Sequence, residues 1–136
     1  MTAKSVANRI TGATDRGDDR GVTVLIVDDH PSFRATARIL LESEGYDVVG
    51  EAEDAESALR AASELRPDLV LLDVQLPDLD GFVVAERLTQ MEDPPAVVLT
   101  SSRDRADYGR CIECSGARGF VAKAELSGAA LATLLA

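Results

Sequence analysis

Four short apolar runs of this 136-residue chain each end on a group that can do chemistry. Residues 22–27 (VTVLIV) run straight into Asp28 and Asp29, and residues 68–73 (DLVLLD) end on Asp73. Residues 96–101 (AVVLTS) finish with Thr100 and Ser101, and residues 119–123 (GFVAK) finish with Lys123. Adjacent carboxylates repel each other, and partial desolvation at a strand end sharpens the repulsion. A hard divalent cation offsets it. Oxygen ligands with room for water suit Mg2+, and such an ion also neutralises an incoming phosphoryl group. Asp73 is then a candidate nucleophile, because a carboxylate can form an acyl phosphate. Lys123 would pair with a phosphoryl oxygen as a point charge, and Thr100 would donate a hydrogen bond to another.

Those groups work together only if the chain brings the four run ends to one place. The apolar runs at 22–27, 46–52, 68–73, 96–101 and 119–123 read as strands. Between and after them, helical spacing predicts helices over 32–45, 54–67, 82–91, around 104–115, and over 125–136, with Asp54 as an N-cap and Gly45 as a stop. Strands that are apolar throughout are buried on both faces, which predicts a parallel sheet covered by helices. The fold class is therefore α/β, a doubly wound five-stranded parallel sheet. In such sheets ligands bind beyond the carboxyl ends of the strands, where the strand order switches. That is where the three carboxylates, the hydroxyl and the ammonium would collect.

Residues 1–21 are polar and lack sustained periodicity, so they read as a flexible tail preceding a domain over 22–136. The formal net charge is −10. The tail carries +1 of it, so the domain itself holds −11. This acidity argues against a phosphate-backbone footprint on nucleic acid and against an anionic membrane surface. No apolar run has the roughly 18 residues of a membrane span, and the N-terminus has no secretory apolar core, so the expected location is the cytoplasm. Cys111 and Cys114 form a C-x-x-C with no second pair for zinc. They are expected to be buried or half-buried small residues on one helix face. His30 is expected to be a loop residue opening the first helix, not a metal ligand or a phosphohistidine.

The motifs VLIVDDHPSF, DLVLLDVQLPDLDGF, VVLTSS and GARGFVAKAEL, in this order and spacing, resemble the response regulator receiver domain of two-component signalling. The variant resembles receivers often attached to helix-turn-helix output domains. The resemblance covers residues 22–136 and implies the flavodoxin-like (βα)5 receiver fold. It implies that Asp73 takes phosphate from a histidine kinase or a phosphotransfer protein. It implies that Asp29 binds Mg2+ directly, with Asp28 acting directly or through water and the backbone carbonyl of Gln75 as a further ligand. Thr100 and Phe120 would be a switch pair, Phe120 swinging into space left when the phosphoryl oxygen draws Thr100 inward. Lys123 would bridge the phosphate and the acidic pair, and Pro77 and Gly81 would shape the loop after Asp73. The signalling surface would be the face of the fourth helix, fifth strand and fifth helix, which could also join two copies in a homodimer. Neither nucleic acid nor membrane is an expected contact of this domain.

Two departures stand out. Ala124 occupies the place of the proline that frequently follows the lysine, and Phe120 stands where Tyr is common. No output domain follows residue 136, so the expectation is a stand-alone receiver, the alternative being the receiver half of a longer DNA-binding regulator. A second alternative is a Mg2+ phosphohydrolase of the haloacid dehalogenase type. That class resembles D-x-D on the first strand and a substrate-holding cap segment, whereas this chain has DDH there and no cap. A receiver is not a turnover enzyme: it catalyses only its own phosphoryl transfer and its own dephosphorylation.

Overall fold

The structure, a computed structural model, describes residues 21–103 and 105–135, so the predicted tail, apart from Gly21, lies outside the described residues. Five strands, β1 (Thr23–Val27), β2 (Asp47–Ala52), β3 (Leu69–Asp73), β4 (Ala96–Ser101) and β5 (Gly119–Ala122), form one sheet in the order β2-β1-β3-β4-β5. Every pairing is parallel. The helices α1 (Pro31–Ser43), α2 (Ala55–Leu65), α3 (Gly81–Thr89), α4 (Cys111–Cys114) and α5 (Gly128–Leu135) alternate with the strands. This is the doubly wound sheet that the apolar strands predict.

Side chains alternate across a strand, so each strand feeds two cores. Leu25, Val27, Val70, Leu72, Val97 and Leu99 pack under α2, α3 and α4 against Ala58, Ala62, Val84, Leu88 and Ile112. Val24, Ile26, Leu69, Leu71 and Val98 face the other way, onto Ala37 and Leu41 of α1 and Leu131 and Leu135 of α5. All five residues of the central strand β3 are buried. Each fully buried Leu or Val contributes roughly 1.5–3 kcal/mol, so the sheet is a rigid mount for whatever its strand ends carry.

The order places the switch between β1, which leads outward to β2, and β3, which leads the other way. Asp28, one residue past β1, and Asp73, the last residue of β3, therefore face each other at the crevice. At the opposite edge the Asp68 carboxylate accepts from both the backbone and the hydroxyl of Thr23, at 3.0 and 3.1 Å, and ties β1 to β3.

Several boundaries differ from the sequence-based expectation. Asp54 caps α2 as expected, accepting from the Ser57 amide at 2.8 Å. The last helix begins at Gly128, not at residue 125, because Lys123–Glu125 wind as a 3-10 turn and the Ser127 hydroxyl accepts from the Ala130 amide. The helix expected over 104–115 is one α turn, Cys111–Cys114, after a 3-10 turn at Arg105–Asp107. Gly109 and Gly116, at φ +58° and +86°, break the segment on either side. Cys111 and Cys114 are both exposed, not buried, because a single turn with Ile112 as its one buried residue leaves both thiols outward.

Candidate functional site

The crevice is built from strand ends and from the loops that leave them. After β1 the chain makes a tight turn: the Asp28 side chain accepts from the His30 amide at 2.8 Å, and Pro31 starts α1 as the first helical residue. Asp28 is fully buried, while the Asp29 carboxylate remains 36% exposed. The Arg34 guanidinium, one turn into α1, donates to the Asp28 carbonyl at 2.6 Å and to Glu51 on β2 at 2.9 Å, which fixes the loop to the sheet.

After β3 the chain has to turn while keeping Asp73 in place. The Asp73 carboxylate accepts from the Gln75 amide at 3.2 Å, and the Val74 amide donates to the Thr100 carbonyl at 2.9 Å. Gly81 lies directly against the backbone of Asp73 and Val74, where any Cβ would collide, and its amide donates to the Val74 carbonyl at 2.7 Å. Asp80 caps α3 by accepting from the Phe82 amide at 2.7 Å. Asp78 reaches across to the start of α2 and accepts from the amides of Ala55 and Glu56, which hold its carboxyl below the usual range. The loop after the candidate nucleophile is thus fastened at both of its flanks.

Lys123, the residue after β5, reaches over this crevice and is only 15% exposed. Its Nζ lies 2.6 Å from Asp28 Oδ2 and 3.5 Å from Asp73 Oδ2. The shorter contact is an ion pair whose angles fall outside hydrogen-bond geometry, so Asp28 Oδ2, though buried, has no hydrogen-bond partner among the described residues. The ammonium also sits 4.6 Å from the centre of the Phe33 ring, a cation–π contact that supports its stem. Thr100 on β4 pairs in register with Asp73 on β3. Its hydroxyl is buried and likewise has no hydrogen-bond partner among the described residues.

Burial pushes the Asp73 carboxyl up to about 6, with the Asp28 charge as the second cause; Lys123 and the Gln75 amide pull in the opposite direction. One donor atom each from Asp28, Asp29, His30 and Asp73 lie within 4.8 Å of one another. Three clustered carboxylates, with a single ammonium to offset them, fit a hard divalent cation. The structure therefore brings together Asp28, Asp29, Asp73, Thr100 and Lys123 as the sequence predicts, with Gln75 next to them in the β3–α3 loop.

Phe120 on β5 is buried in the core under α3 and α4. Its ring lies 5.8 Å from that of Tyr108, which in turn stands 5.5 Å from Phe82. The Tyr108 hydroxyl is 2.6 Å from that of Ser101 at the end of β4. Sequence reasoning did not find Arg34, Phe33 or Tyr108. Phe33 was visible only as an apolar position of the first helix, while Arg34 and Tyr108 carried no motif signal. Nor did it find that His30 contacts both aspartates of the acidic pair, at 2.9 and 3.1 Å.

Comparison with known proteins leads to the same place. The BvgA transcription regulator of Bordetella pertussis is 41% identical over 102 residues, 75% of this chain and 49% of that protein. A protein-glutamate methylesterase/protein-glutamine glutaminase of Anaeromyxobacter dehalogenans is 41% identical over 115 residues, 84% of this chain and 33% of that protein. The chain thus spans about half the length, or less, of these curated relatives. Among solved structures, the signal receiver domain of the NarL response regulator of Mycobacterium tuberculosis superposes with a TM-score of 0.74 at 36% identity, covering 83% of this chain and 95% of that one. The family described as the response regulator receiver domain matches residues 24–134, and with the (βα)5 sheet and the acidic crevice at its switch point, the chain belongs to that family.

Proposed function

We propose that Asp73 is the phosphoacceptor of this receiver and that a histidine kinase or a phosphotransfer protein is its donor. The observation that carries this reading is the pairing of Asp73, buried and facing Lys123 at 3.5 Å, with a buried Thr100 hydroxyl in register on the next strand. An Asp73 oxygen attacks phosphorus in line. The P–O bond to Asp73 forms as the donor's N–P bond breaks, and the bonding pair returns to the donor's imidazole nitrogen. Asp28 and Asp29, with Asp73 and the backbone carbonyl of Gln75, would hold Mg2+, which supplies charge neutralisation at the phosphoryl oxygens. Lys123 stabilises a second phosphoryl oxygen as charge redistributes, and the Thr100 hydroxyl donates to a third. Water later attacks the same phosphorus, releasing inorganic phosphate and the free carboxylate.

The output is a population shift. The phosphoryl group favours the active state only by contacts that it makes better there, chiefly with Thr100 and Lys123. Phe120 is the switch partner of Thr100, and the face of α4, β5 and α5 reads the change to a partner protein or to a second copy of the chain. The relay operates in the cytoplasm; among the described residues no helix is long and apolar enough to cross a membrane.

The test is intact mass after incubation with acetyl phosphate, with and without Mg2+. The expected result is one addition of roughly 80 Da that requires Mg2+ and is absent in Asp73→Asn. An addition that persists in Asp73→Asn would place the acceptor elsewhere and overturn the assignment.

A further inference from the structure

His30 is the single histidine of the chain, and phosphoryl transfer to Asp73 gives it no task. Its ring is 65% exposed, yet its Nδ1 is not directed into solvent. Nδ1 lies 2.9 Å from Asp28 Oδ1 and 3.1 Å from Asp29 Oδ1, beside two of the oxygens that would hold a cation. The backbone restrains it there. Pro31 confines the preceding residue to extended conformations, and His30 sits at φ −100° and ψ 109° with its amide bound to the same Asp28 oxygen at 2.8 Å. The donors within 4.8 Å of one another are thus three carboxylates and one imidazole nitrogen. Asp28 is fully buried, and its other oxygen, Oδ2, is held by the Lys123 ammonium at 2.6 Å, which leaves Oδ1 on the side of His30 and Asp29.

Oxygen and nitrogen donors do not suit all cations equally. Mg2+ keeps oxygen ligands and water. Divalent first-row transition ions accept imidazole together with carboxylates. With its proton on Nδ1, the His30 ring donates to the carboxylates. With the proton on Nε2, Nδ1 presents a lone pair to the same spot.

We propose that His30 Nδ1 is a further protein ligand in the acidic crevice, beside the three carboxylates and the Gln75 carbonyl, making it a site for a divalent first-row transition cation as well as for Mg2+. The inference rests on the acidic crevice being the metal site of the receiver. His30 then determines specificity: it adds affinity for ions that take nitrogen and adds little for Mg2+.

The test uses the full chain loaded with Mn2+, which has little affinity for the two thiols, and pulsed electron paramagnetic resonance. Since His30 is the one histidine, a directly coordinated imidazole nitrogen can only be its own. The expected result is a strong imidazole 14N coupling in the wild type that disappears in His30→Asn and in His30→Ala. Calorimetry on the same proteins should show Mn2+ affinity falling about tenfold while Mg2+ affinity changes less than twofold. Wild-type protein that binds Mn2+ without the 14N coupling overturns the inference, as does an equal loss of both ions in the two variants. Mg2+-dependent phosphorylation measured alongside separates the two failures. If it persists without the 14N signal, only the role of His30 falls. If neither ion binds and no phosphate is added, the metal site itself falls, and the role of His30 with it.

Discussion

Replacing Asp73 by Asn should make the metal-free domain more stable, and the size and pH dependence of the gain follow from the crevice. The carboxyl is pushed from its ordinary 3.8 up to about 6, chiefly by burial and then by Asp28. In an acid a raised native pKa means that folding favours the protonated form. The native state is therefore free of the penalty below the unfolded pKa and bears all of it once the pH exceeds the native one. Over that interval the penalty grows to about 3 kcal/mol. Asparagine keeps the shape and can still accept from the Gln75 amide, but it removes one of the two carboxylates near Lys123. A net gain of about 1–2 kcal/mol at pH 7.5 is the reasonable expectation. For a domain of this size that is a rise of about 4–8 °C in Tm. The assay is thermal unfolding in EDTA at pH 7.5 and pH 4.5, and the gain should all but vanish at the lower pH, where the penalty has fallen to about 1 kcal/mol and no longer exceeds the offsetting losses. Adding Mg2+ at a hundred times its dissociation constant should return about 2.7 kcal/mol to the wild type and distinctly less to the variant. A variant that melts at or below the wild type at pH 7.5 would refute the reasoning, and so would a gain that does not change with pH.

Three further substitutions probe the remaining parts. Lys123→Met should lower metal-free stability by about 3 kcal/mol, because it leaves the buried Asp28 without its counter-charge; denaturant titration should also show that Mg2+ recovers much of the loss. Thr100→Val should leave metal-free stability unchanged or raise it by about 1 kcal/mol, since the buried hydroxyl has no hydrogen-bond partner to lose among the described residues. The same variant should still add phosphate by mass, yet lose the phosphorylation-dependent chemical-shift changes on α4, β5 and α5. Gly81→Ala should destabilise by about 1–3 kcal/mol in chemical unfolding, because its Cβ meets backbone atoms of Asp73 and Val74 that have no flexible end to move aside.

The site was more legible in the sequence than its supports. Asp28, Asp29, Asp73, Thr100 and Lys123 each terminate an apolar run, and a parallel sheet sends all such ends to one edge, so pattern and topology suffice to gather them. Asp54 was equally readable, because capping depends on residue type, whereas Gly81 entered only through the family resemblance, and its close approach to the backbone of Asp73 and Val74 is a finding of the structure. Long-range side-chain partners were not. Arg34 finds the Asp28 carbonyl and Glu51, and Tyr108 finds Ser101, only after the sheet has formed. The segment from 104 to 116 misled for a local reason. Its residues suit a helix, but two glycines in left-handed conformations cut the helix to one turn and turned Cys111 and Cys114 outward.

Three features of the metal-free crevice are individually unfavourable, and they differ in kind. Asp73 is a desolvated carboxyl beside a like charge, Asp28 is a fully buried carboxylate whose Oδ2 meets the Lys123 ammonium at 2.6 Å outside hydrogen-bond geometry, and Thr100 is a buried hydroxyl without a hydrogen-bond partner among the described residues. A cation relieves only the carboxylates, and an anion relieves only the hydroxyl. In the proposed reading a phosphoryl group arriving with its cation relieves all three together, so neither component alone turns the switch fully. The magnitudes agree with this. One neutral hydrogen bond is worth about 1 kcal/mol and one to a charged group about 1.5–3 kcal/mol. Gains from Thr100 and Lys123 made only in the active state would total about 3 kcal/mol. That is more than a hundredfold in the equilibrium, enough to move an active population of a few per cent to a majority. The strain that makes Asp73→Asn stabilising is, on this account, the same free energy that phosphorylation releases into the switch.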